Sequence, residues 1–212
     1  MEIREYFIEN GGSTERPGGV ARLMNRSAPL ENLAGLLRKR VSPLLSAPLM
    51  SKIQPSRPAK LTGQRRFGIV ASLYNSEYVE GLVEAARKEL KALAPKAQVD
   101  LVYVPGSYEI PLGVKAYIDS AADVDAVLAF GLLWDGETMH AGLIATAVTN
   151  SLLDISLNYD TPVLHEVLVV KTAEQAKERC LGTKINRGTE AARAAVRMVQ
   201  TMDSLPSNDI PF

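Results

Sequence analysis

Cysteine, histidine and long apolar runs are scarce in this 212-residue chain. The single cysteine, Cys180, excludes an internal disulfide and a cysteine-rich zinc site, and two histidines are too few for a histidine-built metal centre. No apolar run reaches the ~20 residues that a helix needs to cross a bilayer. The remaining composition is that of an ordinary globular protein, with 46% hydrophobic and 23% charged residues. We therefore expect a soluble protein of the cytoplasm, without a metal centre or a membrane partner.

The charge of the chain is zero overall but unevenly distributed. The 24 basic and 24 acidic side chains cancel, so the whole chain gives no indication of nucleic-acid binding. Residues 1–66 hold 12 Lys and Arg against 5 Asp and Glu (+7), and residues 67–212 hold 12 against 19 (−7). The first stretch is also rich in proline and glycine, which interrupt helices and strands. We expect residues 1–65 to be a basic, largely disordered extension with at most one short amphipathic helix, at residues 30–41.

Three interpretations of the extension stay open. It is arginine-rich like a targeting peptide, but its first ten residues carry three glutamates, and targeting peptides are poor in acidic residues. It could instead be a basic arm that lies on the acidic body or on an oligomeric partner. It could also reflect the choice of start site, because Met50 is a plausible alternative beginning. Under the first interpretation the location would be an organelle rather than the cytoplasm.

From residue 66 onward, predicted strands alternate with predicted helices. Strands are predicted at residues 67–74, 99–104, 124–134 and 162–170, and helices at 76–94, 109–121, 138–158, 173–180 and 189–203. This alternation predicts an α/β protein, a three-layer α/β/α sandwich around a four-stranded parallel sheet. We expect residues 66–203 to form the folded domain and residues 204–212 to form a flexible tail.

Polar and aromatic residues follow the first two predicted strands, where a parallel sheet binds its ligands. Tyr74 follows the first strand and is suited to stacking on a flat heterocycle, although it could also be a simple rim aromatic. Glu109 lies between the second strand and the next helix. It could bind hydroxyl groups there, or it could only interact favourably with the helix dipole.

The loop after the third strand holds the densest set of candidate groups. Gly136 permits a tight turn, Thr138 is the predicted N-cap of the next helix, and the amides of that first turn would form an anion site. His140 lies in the same turn, where an imidazole could transfer protons beside a bound phosphate. In the alternative interpretation, Thr138 only caps the helix and His140 only fills space.

Three further residues with reactive or ligand-binding side chains lie in the last quarter of the chain. Arg179 either satisfies a helix C-terminus or pairs bidentately with a phosphate. Cys180 is predicted to be a packing residue rather than a nucleophile. His165 lies in a strand, with its neighbour Glu166 on the opposite face, and on its own such a histidine is more often structural than a ligand.

Five segments carry motifs that are specific in combination. They are residues 71–75 (ASLYN), 104–111 (VPGSYEIP), 129–140 (AFGLLWDGETMH), 162–163 (PV) and 174–188 (EQAKERCLGTKINRG). In their order and spacing they resemble 6,7-dimethyl-8-ribityllumazine synthase, over about residues 66–203. The resemblance implies a flavodoxin-like fold and the penultimate step of riboflavin biosynthesis. In that step 5-amino-6-(D-ribitylamino)uracil condenses with 3,4-dihydroxy-2-butanone 4-phosphate, with release of phosphate and water and without metal or redox cofactor.

The resemblance also implies a role for each matching residue. His140 would transfer protons, and Tyr74 would stack on the uracil ring. The butanone phosphate would be bound by Glu137, Thr138 and Arg179. The ribitylaminouracil would be bound at Tyr74, Ser107, Tyr108, Glu109, Leu132, Leu133, Trp134 and His165.

An oligomer is a further implication of the resemblance. The family forms pentamers whose active sites are shared between neighbouring subunits, and some members close into a 60-subunit shell. We therefore expect a pentamer or a larger homo-oligomer, with riboflavin synthase as a further candidate partner. The segment at residues 59–66 would pair with a neighbouring subunit.

Several positions depart from the pattern of the family. Asp135 stands where a basic residue is common, Ala141 and Gly142 replace an aromatic–aspartate pair, and His165 replaces an aromatic. The GTK triplet that ends at Lys184 is also shifted by one position relative to Arg179. Two alternatives to the synthase stay open. One is a non-catalytic lumazine- or flavin-binding or shell-forming relative, and the other is a flavodoxin-like electron carrier, which would not explain His140 and Arg179.

Overall fold

The computed structural model describes residues 56–206. The helix expected at residues 30–41, most of the basic extension and most of the C-terminal tail lie outside these residues. Four strands form one parallel sheet in the order β2-β1-β3-β4. They are β1 (Arg66–Ser72), β2 (Gln98–Val104), β3 (Ala126–Trp134) and β4 (Val163–Val170).

Five α-helices follow or connect these strands within residues 56–206. They are α1 (Ser76–Leu93), α2 (Ile110–Ser120), α3 (His140–Asn158), α4 (Ala173–Ala176) and α5 (Arg187–Ser204). A 3₁₀ turn, Ser107–Glu109, precedes α2. The single helix predicted at residues 173–180 is wrong in detail, because α4 has only one turn and continues as a π-helical turn at Lys177–Leu181.

Alternate residues of the strands build two separate cores. Phe67 and Phe130 point to the face that α1 and α5 cover, while Val70 and Ala129 point to the face that α2 and α3 cover. The central strand β3 is buried on both faces over most of its length, which explains its continuous apolar run. The predicted α/β fold is therefore confirmed: a four-stranded parallel sheet lies between two helical layers, consistent with a flavodoxin-like sandwich.

The residues before β1 lie along helices of the same chain. Leu61 is buried and its backbone N–H donates to the carbonyl of Leu93 at 2.8 Å. Arg57 pairs with Glu89 of α1 at 2.9 Å, and Arg65 binds Asp203 of α5 at 2.6 Å. Pairing of residues 59–66 with a neighbouring subunit stays a prediction.

Asn186 determines where α5 begins. Its Oδ1 accepts from the backbone N–H groups of Gly188 at 2.9 Å and Thr189 at 3.3 Å, and its Nδ2 donates to the carbonyl of Cys180 at 2.7 Å. The helix therefore begins at Arg187, two residues earlier than predicted, because Asn186 caps it. Cys180 is fully buried in the core, as predicted, and burial raises the pKa of its thiol to about 11.

Candidate active site

A cavity of about 410 Å³ opens at the carboxyl edge of the sheet, a size typical of small-molecule sites. Its walls come from the loops after β1 and β2, the end of β3 and the first turns of α3. The lining residues are Tyr74, Asn75, Gly106, Ser107, Tyr108, Glu109, Leu132, Leu133, Trp134, Gly136, Thr138, His140, Ala141 and Ile144. Segments that are up to about seventy residues apart in sequence thus meet at one place, as parallel strands require.

Backbone hydrogen bonds hold the loops after β1 and β2 side by side. The N–H of Leu73 donates to the carbonyl of Val104 at 2.8 Å, and the N–H of Tyr74 donates to the carbonyl of Pro105 at 3.2 Å. The Tyr74 side chain is 71% exposed, so its ring is available for contact with a ligand. An aromatic face and the hydrogen-bonding loop after β2 therefore share one wall of the cavity.

Ser107 presents an unsatisfied hydroxyl at this wall. The residue is only 5% exposed, and within residues 56–206 its Oγ and the Nε of Arg65 are the buried side-chain atoms without a hydrogen-bond partner. Gly131 makes room for it, since a Cβ at that position would lie 2.6 Å from the Ser107 Oγ. A buried hydroxyl without a partner carries a free-energy cost that a ligand hydrogen bond would remove.

The first turn of α3 forms another part of the cavity wall. The helix begins at His140 with Met139 at the N-cap, and no side chain caps it. The prediction that Thr138 is the N-cap is therefore wrong, because the helix begins one residue too late for that role. Thr138 lines the cavity instead, together with the exposed His140. An anion in this position would meet the amide end of a 19-residue helix, where the helix dipole favours negative charge.

The departures from the family pattern have visible structural consequences. Asp135 stands near Lys171, whose Nζ lies 3.6 Å from the Asp135 Oδ2, so the acidic charge faces a cation from the loop after β4. A Cβ at Gly142 would meet no heavy atom within 4 Å, which shows that this side of α3 is open. The position of Lys171 directly after a predicted strand makes it a candidate, but its pairing with Asp135 could not be predicted from the sequence.

Three of the predicted site residues do not line the cavity of their own chain, although Glu137 lies between two residues that do. Among residues 56–206, Glu137, His165 and Arg179 are not part of the cavity wall. The imidazole of His165 bonds through Nε2 to the hydroxyl of Thr149 at 2.8 Å, and its Nδ1 accepts from the N–H of Val167 at 3.1 Å. Burial lowers the pKa of His165, which favours the neutral ring that this pattern requires. Arg179 lies on the π-helical turn.

A partly buried carboxyl group, that of Glu166, lies on the opposite face of β4. Burial raises the pKa of Glu166 to about 7, and the charge of Glu190 adds to the shift while that of Arg187 opposes it. Arg187 itself donates to the carboxylate of Glu190 at 2.6 Å, so the negative charge of Glu190 offsets the effect of the Arg187 charge on Glu166. Glu166 is therefore protonated in the folded protein at pH values where it would be ionised in the unfolded chain.

We expect Glu166→Gln to flatten the pH dependence of stability. The folded-state pKa of about 7 lies above the ordinary value of 4.5. The free energy of unfolding of the parent protein is therefore highest below pH 4.5, where Glu166 is neutral in both states, and it falls as the pH rises from 4.5 to about 7, because only the unfolded chain ionises there. Above pH 7 the variant should gain up to about 3 kcal/mol over the parent protein, because one pKa unit corresponds to about 1.4 kcal/mol. Urea unfolding at several pH values measures this difference. Parallel pH curves for the two proteins would contradict the buried, neutral Glu166.

Within residues 56–206, no group of three or more His, Cys, Asp and Glu side chains could hold a metal ion. In this part of the chain no helix is both long enough and apolar enough to span a membrane.

Comparisons with known proteins point to one family. The family described as 6,7-dimethyl-8-ribityllumazine synthase matches residues 64–203. A 6,7-dimethyl-8-ribityllumazine synthase from Aquifex aeolicus is 41% identical over 149 residues, which are 69% of this chain and 96% of that protein. Proteins of the same name from Halorhodospira halophila and Stenotrophomonas maltophilia are 39% and 37% identical over 142 residues, which are 66% of this chain and 90% and 91% of those proteins.

Proposed function

The chain belongs to the 6,7-dimethyl-8-ribityllumazine synthase family of riboflavin-biosynthesis enzymes, and we propose that it catalyses the condensation after which that family is named. The substrates would be 5-amino-6-(D-ribitylamino)uracil and 3,4-dihydroxy-2-butanone 4-phosphate, and phosphate and water would be released. The single observation that supports this most strongly is the cavity itself. It combines an exposed aromatic ring, a hydrogen-bonding loop and a helix N-terminus that carries a histidine.

The two ends of the cavity suit the two substrates. The exposed Tyr74 ring would stack on the uracil. The unsatisfied hydroxyl of Ser107 and the carboxylate of Glu109 would bind the ribityl hydroxyls or the polar edge of the ring, together with the backbone of Tyr108. The end of β3 at Leu132, Leu133 and Trp134 would contact the pyrimidine. The phosphate would occupy the N-terminus of α3, near Glu137 and Thr138.

The reaction needs orientation and proton transfer more than covalent catalysis. An amine attacks a ketone and water leaves as the imine forms. Phosphate is then eliminated to give an enol that becomes a second ketone, and the second amine attacks this ketone and closes the ring with loss of a second water. Holding two substrates in register contributes up to about 7–11 kcal/mol in favourable cases. His140 would transfer protons between the amine, the carbonyl oxygen and the leaving group, because it stands where the phosphorylated substrate would lie.

We propose that a second copy of the chain completes the site. Arg179 and His165 lie away from the cavity of their own chain, so a neighbouring subunit would have to supply them. The helix α3 exposes Leu143, Leu153 and Leu157, with 63%, 58% and 68% of their surface accessible. An apolar helix face of this kind favours burial in an oligomer. A pentamer or larger ring would repeat the contact around an axis.

A non-catalytic lumazine- or flavin-binding relative is the second candidate. Two observations favour it: the carboxylate of Asp135 beside the predicted phosphate position, and the open space at Gly142. Both would weaken binding or closure around the phosphorylated substrate without affecting the uracil end of the cavity.

The test of the proposed function is a two-substrate assay. Purified protein is mixed with both substrates, the fluorescence of the lumazine product is followed, and the same sample is sedimented. We expect lumazine formation well above the uncatalysed rate by a pentamer or a larger species. Binding of lumazine without turnover would support the second candidate, and a particle that is active as a monomer would contradict the shared site.

A further inference from the structure

The end of β3 projects beyond the strand that pairs with it on one side. The ladder between β1 and β3 stops at the pair Ala71–Phe130, whereas the ladder between β3 and β4 continues to the pair Trp134–Val170. The last four residues of β3 are therefore paired on the β4 side only. Three of them, Leu132 to Trp134, line the cavity. The position of these three residues therefore depends on the contacts that replace the missing strand pairing on the β1 side.

The side chain of Asn75 bridges this gap. Its Nδ2 donates to the carbonyl of Leu132 at 2.8 Å, and its Oδ1 accepts from the indole Nε1 of Trp134 at 2.9 Å. The backbone of Asn75 has a left-handed conformation with φ of 59°, which asparagine tolerates better than most residues. Asn75 precedes α1 in the N-cap position, yet its side chain does not cap the helix. Both ends of the amide are engaged with β3 instead.

The indole ring of Trp134 is fixed from a second side. It meets the ring of Tyr78 edge to face, with the centroids 5.8 Å apart and the planes at 81°. Tyr78 lies in the first turn of α1, and its N–H donates to the carbonyl of Asn75 at 3.0 Å. Asn75, Tyr78 and Trp134 thus form a closed set of contacts between the loop that carries Tyr74 and the end of β3.

We propose that Asn75 and Trp134 form a clamp that sets the spacing between the Tyr74 ring and the end of β3. This spacing is the width of the slot that receives the flat heterocycle, so the two residues position the stacking surface and determine its specificity. The inference rests on the proposed function, because it assigns the slot to the uracil ring. Neither side chain takes part in proton transfer, and both act through the placement of Tyr74 and the backbone of β3.

Three variants and one control test the clamp. Asn75→Gly removes the amide and retains the left-handed backbone without strain, since glycine adopts positive φ readily. Trp134→Phe retains an aromatic ring beside Tyr78 and removes the N–H donor. The third variant combines the two changes. Asp160→Gly is the matched control, because Asp160 is exposed, has a φ of 49°, and lies beyond the end of α3 farthest from His140.

Steady-state kinetics are expected to separate the two substrates. Trp134→Phe should raise the KM for the ribitylaminouracil about fivefold to tenfold, roughly the effect of one lost hydrogen bond. Asn75→Gly loses both hydrogen bonds of the amide and should raise this KM at least as much, while in both variants the KM for the butanone phosphate and kcat change much less. The double variant should be little worse than Asn75→Gly alone, because that change already removes the hydrogen bond between Asn75 and Trp134. The control should match the parent protein. The clamp would be overturned if the KM increases of the two single variants multiplied in the double variant. It would also be overturned if the KM values for both substrates rose equally.

The emission of Trp134 gives a readout that needs no turnover. It is the single tryptophan of the chain, so its fluorescence reports on the clamp alone. Asn75→Gly should shift the emission to longer wavelength. It should also raise the concentration of 6,7-dimethyl-8-ribityllumazine that gives half-maximal quenching by about fivefold to tenfold. Unchanged emission and unchanged quenching would overturn the clamp even in a protein without activity. A parent protein that binds the lumazine but forms none would contradict the proposed reaction. The quenching experiment would then still decide whether the clamp exists. If Asn75→Gly does not fold, the KM split of Trp134→Phe decides.

Discussion

Replacing His140 by alanine is expected to lower kcat by about one to three orders of magnitude, which overlaps the lower part of the ~10²–10⁴-fold that a proton-transfer group typically contributes. The imidazole stands at the first residue of α3 on the cavity wall, beside the position proposed for the phosphorylated substrate. Its loss leaves the orientation of the two substrates intact, so much of the rate enhancement should survive. The KM values should change less than kcat. Steady-state assays with each substrate varied in turn measure both quantities.

Two controls separate proton transfer from a structural effect. Added imidazole should restore part of the activity of His140→Ala, because a small base can occupy the space that the side chain leaves. Sedimentation of the variant should give the same particle as the parent protein, since the exposed His140 does not belong to either core. Unchanged turnover would remove His140 from the mechanism. Loss of the particle would assign it a structural role instead.

Replacing Gly188 by alanine is expected to destabilise the fold by about 3 kcal/mol or more, at the upper end of overpacking effects. Gly188 lies in the first turn of α5, where a Cβ would lie 2.0 Å from the carbonyl oxygen of Leu82 in α1. Ordinary contacts of a Cβ lie at 3.4–4 Å, and the obstructing atoms belong to the backbone. The two helices would have to separate by more than about 1 Å, which close-packed interiors resist. The midpoint of urea unfolding measures the loss.

Gly142→Ala is the matched control for the packing argument. A Cβ at Gly142 would meet no heavy atom within 4 Å, and the residue lies within α3. Alanine there should stabilise the protein by about 0.5–1 kcal/mol, the difference in helix preference between the two residues. Equal effects of the two substitutions would show that backbone preference, and not the close approach of α5 to α1, governs Gly188.

Most of the fold could be predicted from the sequence because its signals are local. The apolar run of β3 indicated a strand buried on both faces, and the structure shows it at the centre of the sheet. The periodic apolar residues of α1 indicated a helix that ends near Pro95, and it ends at Leu93. Because parallel strands bring their carboxyl ends to one edge, the residues after each strand were the natural candidates for the cavity. Tyr74 and His140 both line it.

The remaining features depend on contacts between distant segments. The role of Asn75 requires knowledge of where the β1–β3 ladder stops, which no local pattern reveals. The late start of α3, which places Met139 and not Thr138 at the N-cap, is a difference of one residue in a glycine-containing loop. The π-helical turn before Gly182 likewise depends on packing against α1. In the shared site that we propose, the place where Arg179 acts depends on the assembly and not on a single chain.

The central claim is that one active site joins the His140 of one subunit to the Arg179 of the next. Mixing subunits tests it most directly: His140→Ala and Arg179→Ala proteins are dissociated, combined in equal amounts and reassembled. Each preparation alone should have low activity. In the mixture, about a quarter of the sites should pair an intact His140 with an intact Arg179, and recovery should approach about a quarter of the parent activity. Activity no higher than the mean of the two variants would contradict the claim, since it would place both groups within one chain or remove one of them from the site.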